Sequence, residues 1–205
     1  MKCLLIPLLL ILPGSSYGVK EDPAAQMRES LSHVHSLICD FQQEREVSVL
    51  MEKGISRGTL SYIRDRALLW QYSMPDRSGF LLRGNEISIL DARGQPVPDP
   101  GAGGLFRHIG NIILSGLSGD ILEETEAFTP RFVTSEDYIH VTLIPRQRDL
   151  KRLFKDLELF FRKEDHMIQT VVINEVSGDK TTVRMGNIRV NVPIDEKKLD
   201  AYVSP

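Results

Sequence analysis

The sequence predicts one antiparallel sheet of about ten strands, curled around an apolar hollow and closed by a helix. Three observations lead there. Most of the chain breaks into short stretches of alternating or β-branched residues separated by brief turns, which makes consecutive strands antiparallel neighbours. One long amphipathic helix, 105–117, interrupts them. The stretch 167–175 is apolar on both faces, with Met167, Val171 and Ile173 on one side and Ile168 and Val172 on the other. A sheet with one wet face would alternate cleanly, so something covers the second face.

The first eighteen residues read as a signal peptide. Lys2 supplies the charge, Leu4 to Leu12 the apolar run, and Ser16 and Gly18 the small residues at −3 and −1 of a cut after Gly18. The run is about half of what a bilayer span needs. Cys3 stands too early and Cys39 too late for lipid attachment. The organisation expected is residues 1–18 cleaved and 19–205 as a single soluble, exported domain. Cys39 is then the single thiol, with no partner for a disulfide, and sits beside Leu37 and Ile38 as a small buried hydrophobe.

Asp22-Pro23 reads as a helix start, with Met27, Leu31, Val34 and Ile38 at helical spacing. Val47, Val49 and Met51 alternate as a strand that stops at Lys53-Gly54. Further strands are expected at 58–62 and 68–73. A hairpin, 80–83 with 86–90, turns at Gly84-Asn85. The stretch GQPVPDPGAGG (94–104) reads as loop. After it Leu105, Ile109, Ile112, Ile113 and Leu117 share one helical face, weakened by Gly110 and Gly116. That tethered helix is expected to act as a mobile lid. Strands follow at 128–133, 138–144, 157–162, 167–175 and 180–191, with turns at 135–137, 163–165 and 177–179.

Several function classes are excluded or weakened. The formal net charge is −3, without a basic stripe interleaved with aromatics, so no nucleic-acid partner is expected. Gly-x-Ser-x-Gly is absent around Ser118. Gly178-Asp179-Lys180-Thr181 lacks the glycines of a phosphate loop. His33, His35, His108, His140 and His166 are scattered. Neither an enzyme, nor a metal site, nor a cofactor is expected.

Phe41-Gln42-Gln43, Gly58-Thr59-Leu60 followed by Arg64, Leu68, Trp70 and Pro75 carry a family resemblance. So do Tyr138 to Pro145, Leu157 to Phe161, Asn187-Ile188-Arg189-Val190-Asn191 and Pro193. From about Met27 to Asp200 the chain resembles the outer-membrane lipoprotein carrier family, LolA. The resemblance implies an incomplete antiparallel barrel of ten to eleven strands with a helical lid over a hydrophobic cavity. It implies a monomeric periplasmic carrier whose cargo is lipoprotein or lipid, with an inner-membrane exporter as donor and an outer-membrane acceptor. The alternatives are a carrier of another acylated molecule, such as a glycolipid, and a lipid-sensing regulator on the same fold. The expected cavity lining is Leu60, Tyr62, Leu68, Trp70, Ile89, Leu105, Ile109, Ile112, Ile113 and Leu117. By the match to the family's arginine, Arg64 is implied at the cavity mouth, bonded to lid backbone and holding the unloaded carrier shut. On the residues alone, the favoured reading of Arg64 is a strand-end cation reaching water or Asp65, and the family match reverses that preference. Arg66 is given no role.

Overall fold

The computed structural model describes residues 22–49, 52–84, 86–98 and 103–202, with the side chains of 52, 103–109 and 198 excepted. The chain opens with α1 (Pro23–Ser32), whose N-cap Asp22 accepts a hydrogen bond from the Ala24 amide at 3.0 Å, with Pro23 in the first turn. Six strands follow: β1 (Ser36–Val47), β2 (Glu52–Ile63), β3 (Ala67–Met74), β4 (Gly79–Arg83), β5 (Glu86–Leu90) and β6 (Pro96–Val97). Then come α2 (Gly103–Ser118), a 3₁₀ turn (Asp120–Leu122), β7 (Phe128–Thr134) and β8 (Tyr138–Pro145). The chain ends with α3 (Arg148–Leu153), β9 (Phe154–Arg162), β10 (Ile168–Glu175), β11 (Lys180–Val190) and α4 (Glu196–Asp200).

All eleven strands form one open antiparallel sheet in the order β6-β5-β4-β3-β2-β1-β11-β10-β9-β8-β7. The expected fold class is what the chain adopts. Two meanders, β1 to β6 and β7 to β11, meet where β11 pairs with β1. The chain crosses from one free edge to the other through α2, so the helix bridges the gap that a closed barrel would not have.

Several elements differ from the sequence reading. The helical spacing at Val34 and Ile38 is accidental: α1 stops at Ser32, and β1 buries Leu37, Cys39 and Phe41 at period two. The strand expected at Val47–Met51 is instead a turn at 48–49, with Leu50 and Met51 outside the described residues. The 94–104 loop contains β6, and its residues 99–102 are not described. The signal segment 1–18 and Asn85 also lie outside the described residues. The short helices α3 and α4 were not foreseen.

The core fills the concave face. Leu37, Leu60, Tyr62, Leu68, Leu82, Val141, Leu143, Leu157 and Phe161 are buried there, with Met27 and Leu31 of α1 and Leu117 of α2 on top. Gly110 has a packing reason: a Cβ there would stand 3.2 Å from both Phe80 and Leu82, so its hydrogen lets α2 approach β4. The helix thus covers the inner face. Part of the outer face is covered separately, because Leu199 of α4 packs on Ala67, Leu69, Leu81 and Leu90. Arg66–Glu196 at 2.5 Å and Arg83–Asp200 at 2.8 Å flank that contact. Cys39 is free and buried, and burial pushes its thiol up to about 12, which leaves it an apolar filler.

Candidate functional site

Among the described residues, the concave face carries a hollow at one end. A cavity of about 370 Å³ lies between the two half-sheets, where the second half of β1 meets the first half of β11. One wall is Trp70 and Tyr72 of β3 with Phe80 of β4; α2 contributes Ile112 and Ile113. The opposite wall is Val171 and Ile173 of β10, Thr181, Val183 and Met185 of β11, and Leu153 and Phe154 at the α3–β9 junction. At about 30 Å³ per water-sized group, this is room for about a dozen carbons.

The aromatic wall is built by stacking around a glycine. Phe41 stacks on Trp70 with ring centroids 3.9 Å apart and meets Tyr72 edge-on at 5.5 Å. Gly58 sits opposite both Phe41 and Tyr72. A Cβ there would fall 2.5 Å from the Phe41 ring and 2.2 Å from the Gln71 carbonyl oxygen. Gly58→Ala is therefore expected to push Phe41 off Trp70 and to cost about 1–3 kcal/mol. Trp70 is the single tryptophan, so its fluorescence reports the change directly, alongside a denaturant titration. An unchanged spectrum and midpoint would show that the backbone absorbs the methyl.

Polar groups gather at the rim. Tyr72 donates its hydroxyl to Gln43 Oε1 at 3.0 Å, and burial raises the hydroxyl's pKa. Arg45 lies 3.7 Å from Glu175 and 3.5 Å from Asp179. Backbone and side-chain bonds from Ser48, together with Arg45, hold the Asp179 carboxyl below its usual range. These charges line the way in, while the interior behind them is apolar. Among the described residues no group of histidine, cysteine and carboxylates has metal-binding geometry.

The predicted lining residues divide into two groups. Trp70, Ile112 and Ile113 face the hollow. Leu60, Tyr62, Leu68, Ile89 and Leu117 are buried in packed core instead, with α1, Ile121 and Leu122 against the same face; Leu60 and Ile89 stand directly opposite Trp70 and Phe80 across the strands without lining the hollow. Strand alternation identifies the inner face correctly but does not say which end is filled. Leu105 and Ile109 lie outside the described side chains.

Arg64 is displaced from the expected place as well. It follows β2 at the end where Ile63 pairs with Ser36, seven residues along β1 from Gln43 on the cavity rim. At about 3.3 Å per residue, it is roughly 23 Å from the rim. Its Nε donates to the Val34 carbonyl at 2.8 Å, and its Nη2 donates to the Leu31 carbonyl. The bonds go to backbone, but to the C-terminal end of α1 rather than to the 105–117 helix. Asp65, with φ 57°, turns the chain there.

The residues missed by sequence reasoning are Gln43, Arg45, Tyr72 and Phe80 on one wall and the β9–β11 set on the other. Their signal is alternation at 41-43-45, 171-173-175 and 181-183-185. It becomes legible only once β1 is known to pair with β11.

The model of the family described as "Outer membrane lipoprotein carrier protein LolA" matches residues 32–200. No curated protein sequence matches the chain. Among solved structures, an uncharacterised conserved protein from Thermus thermophilus superposes with TM-score 0.54 at 12% identity, over 89% of this chain and 95% of that one. A LolA superfamily protein from Nitrosomonas europaea gives 0.45 at 10%, over 88% and 97%. The Pseudomonas aeruginosa MucA/MucB complex gives 0.47 at 12%, over 85% of this chain and 58% of that one. The first of these supports the fold.

Proposed function

We infer that this chain, which belongs to the outer membrane lipoprotein carrier (LolA) family, holds an acyl chain of a lipid or lipoprotein in the hollow and carries it across the periplasm. The observation that supports this is the cavity itself. Its wall is aromatic and aliphatic, its polar groups sit at the rim, and its volume suits one chain of about a dozen carbons. Burying each methylene gains about 0.8 kcal/mol, so a filled hollow gains on the order of 10 kcal/mol before the costs of ordering the ligand.

The family description names lipoprotein, and that is the cargo we propose, passed from an inner-membrane donor to an outer-membrane acceptor. A reading as regulator finds a likeness in the MucA/MucB complex, but only in fold. Arg64 is assigned the role of holding α1, and α2 the role of lid. In this reading α1 sets the length of the hollow. Lifting it would expose Leu60, Tyr62 and Leu68 as an extension of the same apolar face.

The test is titration of the purified protein with fatty acids of eight to eighteen carbons, and mass spectrometry of organic extracts from protein purified out of its own periplasm. Saturable binding that strengthens with chain length up to about a dozen carbons, and then more slowly, is the expected result. Binding independent of chain length would sink the acyl reading.

A further inference from the structure

We propose that the open end of the hollow is a docking face for an anionic lipid surface, which holds the cavity mouth at the bilayer where an acyl chain is taken up or released. The inference rests on reading the hollow as an acyl site, and it adds a partner which that reading does not supply.

Three segments meet at this end. The Ser48 amide donates to Asp179 Oδ1 at 3.0 Å, and its hydroxyl to the Ser177 carbonyl at 3.3 Å, which fixes the β1–β2 turn beside the β10–β11 turn. The Val176 amide donates to the Leu153 carbonyl at 3.0 Å, which fixes the β10–β11 turn beside α3. Among the described residues each segment presents an outward aliphatic side chain: Val49 is 86% exposed, Val176 59% and Leu153 42%. Large apolar side chains held in water beside a cavity that opens between them are placed to enter an apolar phase.

Charge decides which phase. The stretch 146–155, RQRDLKRLFK, carries five cations and one acid in a chain whose net charge is −3. Leu150 anchors it to the core, and its charged side chains are exposed. Arg146 pairs with Glu124 at 2.8 Å and Arg152 lies 3.8 Å from Asp149. Arg148, Lys151 and Lys155 have no ion pair among the described residues. A groove flanked by Lys151, Lys155 and Val176 runs on from the hollow, sharing Phe154 and Glu175 with its wall. The acids beside this groove, Glu175 and Asp179, are already engaged by Arg45. Unpaired cations beside exposed aliphatics match a bilayer with anionic headgroups, where each basic residue adds to binding and each aliphatic enters the boundary.

Flotation of the full chain with vesicles tests this. Vesicles of phosphatidylethanolamine with phosphatidylglycerol are compared with phosphatidylcholine alone. Binding to the anionic vesicles, weak binding to phosphatidylcholine, and loss in high salt are expected. Reversing Arg148, Lys151 and Lys155 together to Glu should weaken binding about a hundredfold. Val49→Asp with Val176→Asp should also weaken it, and both variants should keep the native melting temperature and fatty-acid affinity in solution. Equal binding to both vesicle types, or full binding by the triple reversal, would overturn the proposal. So would capture by an immobilised acidic polypeptide with no binding to vesicles, which would point to a protein partner. Vesicle binding without any fatty-acid affinity would instead overturn the acyl reading and leave the docking face standing.

Discussion

Arg64→Leu is expected to tighten the binding of long acyl chains by ten- to a hundredfold and to leave short chains unaffected. Two charge-assisted bonds tie the guanidinium to the Leu31 and Val34 carbonyls, at the end of α1. Bonds of this kind contribute about 1.5–3 kcal/mol each, and the carbonyls freed when α1 lifts regain bonds to water, so the pair together adds about 1.5–3 kcal/mol to the cost of lifting the helix. Chains of eight carbons fit the hollow with α1 in place. Chains of sixteen need the end of the inner face that Met27 and Leu31 occupy, so their affinity includes the cost of moving α1. Removing the latch lowers that cost, by tenfold for each 1.4 kcal/mol. Hydrogen exchange in α1 should quicken in the same variant, because its opening free energy falls. Arg66→Leu is the control. Its pair with Glu196 is exposed on the outer face, where such bridges contribute 0–1 kcal/mol. Equal small shifts for both chain lengths at both positions would leave Arg64 as a helix cap with no part in binding.

This prediction shows where the sequence stops being informative. Leu60, Tyr62, Leu68 and Trp70 alternate along β2 and β3, so their common face could be read from the chain. Whether that face is filled or hollow depends on α1 and the 3₁₀ turn at Asp120–Leu122, which pack across it from distant positions. The hollow's second wall depends on β11 returning to β1, a pairing between residues more than a hundred positions apart. No local pattern encodes it. Arg64 could be singled out by its family match, but its partners could not. The register that carries it to His35 and Ser36, at the far end from the rim, is a property of the β1–β2 hairpin. Misplacing that hairpin's turn by a few residues, as the Val47–Met51 alternation does, hides it. α3 was illegible for another reason: six residues with one buried leucine carry too little periodicity to distinguish from a polar loop.

Filling the hollow is expected to weaken acyl binding about a hundredfold without unfolding the protein. Val183 is paired with Gln43 on one side and Val171 on the other, so it stands in the floor where the two half-sheets join. A tryptophan there would project into existing space rather than into close-packed core, which separates it from an ordinary overpacking substitution costing about 1–3 kcal/mol. The indole would displace about four methylenes of ligand. At about 0.8 kcal/mol each this removes roughly 3 kcal/mol of binding, or a factor of about a hundred. Ile173→Trp, two pairs nearer the rim, is the second variant and should act in the same direction. Titration calorimetry with dodecanoic acid reads the affinity, and a melting curve within a few degrees of the native one shows that the sheet is intact. The two substitutions also separate the hollow from the face around it. Neither touches Arg148, Lys151, Lys155, Val49 or Val176, so binding to anionic vesicles should survive in both. If dodecanoic acid still bound with native affinity to two folded variants whose floor and rim are each occupied by an indole, the acyl chain would have to lie elsewhere on the molecule.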